Sequence, residues 1–500
     1  MKTAPMDHFP TFKKAAARVQ RLFFSRTSLK CYLITASLIC LTYTTLRWVG
    51  RRALQAEKER VAALGMATEW KQLLTPMPPD EDNFLAAPLF SGLFSSPKKE
   101  APQLAMWFGF HEKKNEALRD EGKKLISWPE PHQDTLQEWC GYFRKVGALP
   151  TESIGASPAE ELIGDQRWQS TIQAVYAAAK RPESRFPEVG TFDDLSLLGT
   201  TPALHKLLRS LQLYSRAQLQ LGNLDQALPV FRVIHHLVKA SLVEPRRYGA
   251  VWAANYFLDL QRQILLEGIK LHQFPVPFLR ELLQEDYQTQ LQHGCRRGYE
   301  VDRLHFIQEH ENYASGQLDE GPALPNLLRK TLLPDYLYTR SAVRSSQFYS
   351  QLFVASRPLE EHEAWFTRKN LLSQPENQKV QFFRLGDPRD LFWASPLLPM
   401  TRACLRQIVI ALEIHYLEHQ RYPSTLEALR PSLPTRTLTD IDGQPFRYST
   451  NEAGSHFTLG SVGQNGLVDA ADNKRKDDLI FSTAPGPTAK KPVIEPGRLF

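Results

Sequence analysis

The stretch that decides the fold of the C-terminal part reads RYPSTLEAL (421–429), DIDGQPFRY (440–448), LGSVGQNG (459–466) and DDLIF (477–481). Apolar residues at helical spacing precede it at 398–420 and predict a helix with one packing stripe. Pro423 disfavours helix for the residue before it, so the helix is expected to end there. Ser424 and Glu427 have the spacing of a capping box, which predicts a short second helix.

Beyond the second helix the pattern changes to one typical of strands. Asp442-Gly443 predicts a tight turn. Polar and apolar residues then alternate in segments that predict three strands, at 445–450, 456–460 and 478–481. We therefore expect residues 399–482 to form a small α+β head, in which one helix lies on a three-stranded antiparallel sheet.

The order of these segments resembles the head domain of type II secretion major (G-type) pseudopilins, over about 80 residues or a sixth of the chain. In that family an acidic loop usually holds a calcium ion that fastens the sheet. The resemblance implies Ca²⁺ ligands at Asn465, Asp469, Asp472 and Asp477, with backbone carbonyls near Ser461 and Val462. Three basic residues in the same loop, 474–476, would oppose a cation. A charge-balanced turn without metal is the alternative.

The resemblance does not extend to the N-terminus of a true pseudopilin. That family carries a Gly-Phe-Thr-Leu-x-Glu-like processing site, and its anchor runs straight into the head helix. Here the site and its acidic residue are missing, and about 350 residues separate the apolar N-terminal segment from the head. We expect neither cleavage by a prepilin peptidase nor pilin-like polymerisation.

The apolar segment at residues 31–49 predicts a transmembrane anchor. Its first sixteen residues carry no charge, and its length is close to the ~20 residues that span a bilayer. Residues 1–30 form a basic leader with seven Lys or Arg and one Asp, so the positive-inside rule predicts a cytoplasmic N-terminus and an extracytoplasmic body. A cleaved signal peptide is the alternative, but Arg47, Arg51 and Arg52 follow the segment where a small-residue cleavage site would be expected.

The net charge of +7 does not indicate a nucleic-acid-binding surface. Residues 1–30 contribute +6 and residues 483–500 contribute +2, which leaves the body between them near neutral. A nucleic-acid-binding protein carries its basic excess on the folded surface. We therefore expect no nucleic-acid partner.

The chain between anchor and head is predicted to be mainly helical. A juxtamembrane helix at 51–75 and a linker fill residues 50–102, and residues 103–398 form one irregular α-helical domain. The domain contains a helical hairpin at 203–242, which is similar to one tetratricopeptide-type turn but has no second copy at the repeat spacing. Residues 483–500 are expected to be a disordered basic tail.

The sequence offers few residues for chemistry. It has no GxSxG, HExxH, Walker or GxGxxG motif. Cys140 and Cys295 are interpreted as small buried residues rather than a disulfide, although pairing in an oxidising compartment stays open. We therefore expect a non-catalytic interaction or assembly protein in the bacterial inner membrane. Its protein partners would lie in the envelope or in a secretion- or pilus-like system, and the alternative is an envelope hydrolase with its site in the helical domain.

Overall fold

The computed structural model describes residues 25–74, 76–91, parts of 104–118, 135–151, 157–186, 201–243, 249–315, 335–355, 397–440, 443–462 and 479–483. Its helices are α1 Arg26–Ala63, α2 Leu136–Lys145, α3 Pro158–Gly164, α4 Gln169–Ala178, α5 Thr201–Gln220, α6 Leu224–Ala227, α7 Pro229–Val243, α8 Gly249–Lys270, α9 Val276–Gln284, α10 Tyr287–Ser315, α11 Asp335–Ala355 and α12 Leu397–His419. Its strands are β1 Arg447–Thr450, β2 Phe457–Ser461 and β3 Leu479–Ser482. The prediction of a mainly helical chain is confirmed.

Helix α1 contains the whole predicted anchor and continues beyond it. Its 38 residues make it about 57 Å long, and Ser25 caps its start by accepting a hydrogen bond from the Ser28 amide. Among the described residues it is the one helix long and apolar enough to cross a membrane, and none of the apolar window is buried. A membrane anchor and a signal sequence both fit this finding.

The predicted juxtamembrane helix at 51–75 was too long. Helix α1 ends at Ala63, and Gly65 follows in the left-handed region with φ +73°. Glycine adopts this conformation at little cost and commonly terminates helices. A short 3-10 turn, Trp70–Leu73, is all that resembles the remainder of the predicted helix.

The chain divides into two compact units, one of residues 1–68 and 303–348 and the other of 69–302 and 349–500. In the first unit Glu57 is buried and receives two hydrogen bonds from Arg60 and one from Ser346. Arg303, also buried, donates to the carbonyl of Ala67. Each of these two buried charges thus has a hydrogen-bond partner, as its desolvation cost requires.

The predicted hairpin forms in the second unit. Helices α5 and α7 enclose the expected break at Gly222, whose φ of +74° ends α5. Pro229 begins α7, a position where its missing N–H costs nothing. Helix α8 packs against both α5 and α7, so the hairpin becomes part of a helical layer.

The C-terminal elements follow the predicted order. Helix α12 agrees with the predicted helix, but a 3-10 turn, Leu426–Leu429, replaces the short α-helix. Thr425 rather than Ser424 precedes that turn, and its side chain makes no capping bond. Strand β1 pairs antiparallel with β2, and β3 pairs antiparallel with β2. The head as a whole stays a prediction, because residues 463–478 lie outside the described part of the chain.

Two glycines give a matched test of the packing. A Cβ at Gly268 in α8 would lie 2.2 Å from the ring of Phe274, which is 2% exposed, whereas a Cβ at Gly141 in α2 meets nothing within 4 Å. We expect Gly268→Ala to lower the free energy of unfolding by ~1–3 kcal/mol through overpacking. Gly141→Ala should raise it by ~0.5–1 kcal/mol through helix propensity. Denaturant unfolding measures both, and a change of the same sign in the two variants would contradict the packing.

Candidate functional site

Helix α12 is the element that joins the helical layer to the C-terminal strands. It packs against α8 and α9, and also against β2 and the 3-10 turns Leu426–Leu429 and Thr435–Leu438. Residues 403–413 are buried apart from the half-buried Gln407. The prediction of a single packing stripe is therefore wrong, because the helix is covered by two sets of neighbours.

Two ionisable side chains lie inside this buried stretch. Arg406 is 3% exposed and Glu413 is 0% exposed. They are seven residues apart, which is two turns, so they lie on the same side of α12. A charge buried without partners costs several kcal/mol, and each of these side chains has several partners.

Arg406 contacts the facing helices through its whole guanidinium group. Nε donates to Gln261 Oε1 on α8 at 2.7 Å, and Nη1 donates to the carbonyl of Leu282 on α9 at 3.1 Å. Nη2 donates to Glu285 Oε2 at 2.6 Å. The guanidinium carbon lies 4.8 Å from the ring centroid of Tyr287, a cation–π distance. One side chain of α12 is thus bonded to two helices and to the link between α9 and α10.

The Glu285 carboxylate extends these contacts to α7. His235 Nδ1 lies 3.3 Å from Glu285 Oε1 and 3.0 Å from Tyr287 Oη. Burial opposes ionisation of Glu285, but the bond from His235 and the charge of Arg406 outweigh it and hold the pKa of Glu285 below its usual value. Burial raises the pKa of Tyr287 well above its usual value, so its hydroxyl stays neutral. We call Arg406, Gln261, Glu285, Tyr287 and His235 the Arg406 network.

A second set of contacts surrounds Glu413. His272 Nδ1 lies 3.0 Å from Glu413 Oε1, and Tyr422 Oη donates to Oε2 at 2.9 Å. The His272 ring stacks on Tyr416 with a centroid distance of 4.0 Å and an interplanar angle of 11°. Burial raises the pKa of Glu413, although its bonds to His272 and Tyr422 act in the opposite direction. We call Glu413, His272, Tyr416 and Tyr422 the Glu413 network.

The backbone of His272 is in an uncommon conformation, with φ +49°. It directly follows the end of α8, where its amide bonds the carbonyl of Ile269 and the next amide bonds that of Gly268. This is the helix-ending arrangement in which glycine is usual, and a non-glycine residue there costs ~1 kcal/mol or more. The contacts of the imidazole with Glu413 and Tyr416 offset that cost and explain why a histidine suits the position.

Both networks hold elements in place rather than expose a reactive group. All three nitrogens of the Arg406 guanidinium bond an acceptor, and both oxygens of Glu413 have a partner. Tyr422 also meets Phe457 of β2 edge to face, with ring centroids 4.8 Å apart. The Glu413 network therefore reaches from the end of α8 through α12 to strand β2.

The predicted calcium ligands Asn465, Asp469, Asp472 and Asp477 lie outside the described residues. The start of their loop is described, and Asp440 holds it. Ser461 Oγ donates to Asp440 Oδ1 at 2.7 Å, and the Val462 amide donates to Oδ2 at 2.9 Å. Because the amide of Val462 points at Asp440, the end of β2 is fixed where the acidic loop begins.

The adjacent histidines 235 and 236 do not act together. Their ring centroids are 6.2 Å apart, and they have different partners. His235 belongs to the Arg406 network, whereas His236 Nε2 bonds the carbonyl of Ala179 at 3.0 Å. The two imidazoles therefore belong to separate sets of contacts.

The remaining candidates for chemistry are buried or unclustered. Cys140 and Cys295 are buried and are not joined to each other, and burial raises the pKa of the Cys140 thiol to about 12. In the part of the chain that the structure describes, no group of three or more His, Cys, Asp or Glu side chains is placed to hold a metal ion.

The sequence contained one signal for the two networks. Arg406 and Glu413 lie among mainly apolar residues in the middle of a helix, at positions that share one side, and charges on a buried face need partners. Their hydrogen-bond partners, apart from Tyr422, lie 121–145 residues earlier in the chain. No local pattern identifies them.

The Arg406 network can be tested against an exposed ion pair of the same helix. Arg406→Met removes one partner of the half-buried Glu285 and the partner of the buried Gln261 Oε1, so we expect it to lower the free energy of unfolding by ~1–3 kcal/mol. Arg280→Met removes a pair with Glu418 whose side chains are 64% and 39% exposed, and should cost ~0–1 kcal/mol. Denaturant unfolding of the detergent-solubilised chain measures both, and equally small losses would contradict the network.

His236 should make the fold sensitive to acid. Its ring stacks on Phe84, and burial lowers its pKa from 6.5 to about 4. Between these two pH values His236 is protonated in the unfolded chain but neutral in the native state. Its contribution to the free energy of unfolding is therefore fully present above about pH 6.5 and decreases as the pH falls towards 4. Between pH 7 and 5 we expect a loss of ~2 kcal/mol from this residue. The same measurement on His236→Gln should show a shallower pH dependence, and an identical slope in the two proteins would exclude His236 as the cause.

Similarity to other proteins does not indicate the function of this chain. No family model, curated protein or solved structure matches the chain. The observations available are one helix long enough to cross a membrane, a mainly helical chain, and two buried networks on α12.

Proposed function

We propose that this chain is a single-pass, membrane-anchored extracytoplasmic protein of the bacterial envelope that binds other proteins and has no catalytic role of its own. The observation that carries the proposal is the fixing of the C-terminal head elements to the helical body through α12. A rigid pair of surfaces outside a membrane suits recognition of a protein partner, whereas an enzyme needs an open, convergent set of reactive groups.

The anchor part of the proposal rests on α1 and on the charge around it. Residues 31–49 lie within α1, and their apolar side chains are exposed, as lipid contact requires. Leu38 and Ile39, near the middle, are 58% and 63% exposed. The basic leader favours a cytoplasmic N-terminus, so the body would lie outside the cytoplasm and the inner membrane would hold the protein.

The head part of the proposal rests on the order of elements and on three of the residues that carry the resemblance. Tyr422 is 2% exposed and bonds Glu413. Tyr448 donates to the carbonyl of Pro423 at 2.7 Å, and Asp440 fixes the end of β2. Through these contacts, the residues that carry the resemblance stabilise the C-terminal elements, as expected in a pseudopilin-like head. They therefore support a link to a secretion- or pilus-like assembly.

Calcium in the acidic loop belongs to the same proposal. Asn465, Asp469, Asp472 and Asp477 would supply oxygen ligands, which suit Ca²⁺. The ion would fasten the chain between β2 and β3, directly after the point held by Asp440. The hydrolase alternative has no comparable support, because both described clusters that combine His, Glu and Tyr are engaged in the Arg406 and Glu413 networks.

The test is photo-crosslinking of the full-length protein in intact cells. A crosslinking residue is placed at Glu452, which is exposed in the turn between β1 and β2, or at Glu281, which is exposed on α9. We expect adducts with other envelope proteins, and a partner from a secretion- or pilus-like system would support the head assignment. Self-adducts alone, or none from either position, would overturn the proposal.

Two further arms make the experiment specific. Arg406→Met should weaken the adduct at Glu452, because it loosens the head from the body, while Arg280→Met should leave it unchanged. In the same cells the intact chain should stay in the membrane fraction after alkaline extraction. A shortened, soluble chain would show that α1 is a signal sequence instead.

A further inference from the structure

The last turns of α12 present two histidines that neither network uses. His415 and His419 are four residues apart, so their side chains are neighbours on the helix surface. Their ring centroids are 4.2 Å apart with an interplanar angle of 23°. His415 is half-buried and His419 is exposed, so solvent reaches the pair.

The hydrogen bonds of the two rings define which nitrogen carries the proton. His415 Nδ1 lies 3.0 Å from the carbonyl oxygen of Arg421, and His419 Nδ1 lies 3.0 Å from that of His415. A carbonyl oxygen can only accept, so each Nδ1 must be the N–H donor. In the neutral rings each Nε2 then keeps its lone pair, which is the form that binds a metal ion.

The Nδ1 bonds resemble those of metal-binding histidines, and the nearly parallel rings must turn before both Nε2 atoms can face one ion. Metal-binding histidines almost always donate their other N–H to a carbonyl or carboxylate, which fixes the tautomer and the ring orientation. For His415 this acceptor is supplied by the turn that follows α12. Gln420 has φ +56° in that turn, and its amide donates to the carbonyl of Tyr416 at 2.7 Å. That turn brings the carbonyl of Arg421 back against His415.

We propose that His415 and His419 form a two-histidine site for a divalent transition-metal ion, held through the two Nε2 atoms. Imidazole ligands suit Cu²⁺, Ni²⁺ and Zn²⁺, and Cu²⁺ is expected to bind most tightly. Glu418 is bonded to Arg280 at 2.7 Å, and no third protein ligand completes the set among the described residues. Water or another exchangeable ligand therefore fills the remaining positions.

The proposal is independent of the protein-binding function. It differs from the calcium loop in ligand chemistry, because nitrogen ligands favour transition metals and oxygen ligands favour calcium. The competing explanation is that the two rings only satisfy carbonyls at a helix end, in which case their Nε2 atoms bind nothing.

The test is titration of the detergent-solubilised full-length protein with CuCl₂, followed by electron paramagnetic resonance and by calorimetry. We expect one site with two nitrogen ligands, and about tenfold or greater weakening of Cu²⁺ binding in His415→Gln and in His419→Gln. His293→Gln removes an exposed histidine of α10 outside the pair and should leave affinity unchanged. Each single variant of the pair should retain one nitrogen ligand in the spectrum.

The melting temperature without metal shows whether each variant folds. For folded variants, Cu²⁺ affinity unchanged in both His415→Gln and His419→Gln would overturn the site. So would equal weakening by His293→Gln, because it would mean that scattered surface histidines bind the metal. A Cu²⁺-induced rise in melting temperature that disappears in both pair variants would support the proposal.

Discussion

Burial of α12 against two sets of neighbours is the constraint on which the second unit depends. The stretch 403–413 is covered by α8 and α9 and also by β2, so its charged residues cannot reach water. Arg406 and Glu413 must therefore meet partners inside the protein, and the Arg406 and Glu413 networks are the result. These contacts contribute less to net stability than an apolar helix of equal volume would. They do restrict the position and rotation of α12, because Arg406 and Glu413, two turns apart, must each meet their own hydrogen-bond partners.

Much of the fold followed from local patterns in the sequence. Helix α12, the break at Gly222 and the apolar segment within α1 were predictable because periodicity, glycine and uncharged length are local properties. The end of α1 was not predicted correctly, because the mixed charges at 57–60 indicated helix without showing where it stops, and the left-handed Gly65 decides the end. The single stripe on α12 was also wrong, since nothing in residues 398–420 reveals that strands folded from later residues will cover its other faces.

Few residues of the candidate site could be predicted from the sequence. The resemblance to a pseudopilin head selected an acidic loop, whose residues lie outside the described part of the chain. The networks that the structure does describe use Gln261, His272 and Glu285, which look like ordinary polar residues at helix ends or on helix faces. Their role depends on residues more than 120 positions away. Only the occurrence of Arg406 and Glu413 in the mainly apolar middle of a helix indicated that such partners had to exist.

The distance along the chain between α12 and its partners has a consequence for synthesis. Arg406 and Gln261 are separated by 145 residues. At about 5–20 residues per second, roughly 7–30 s pass between the emergence of α8 and that of α12. During that interval the surface that α12 will cover is open, with the Glu285 carboxylate and the apolar residues of α8 and α9 in water. The nascent chain must keep this surface from wrong associations until α12 has been synthesised.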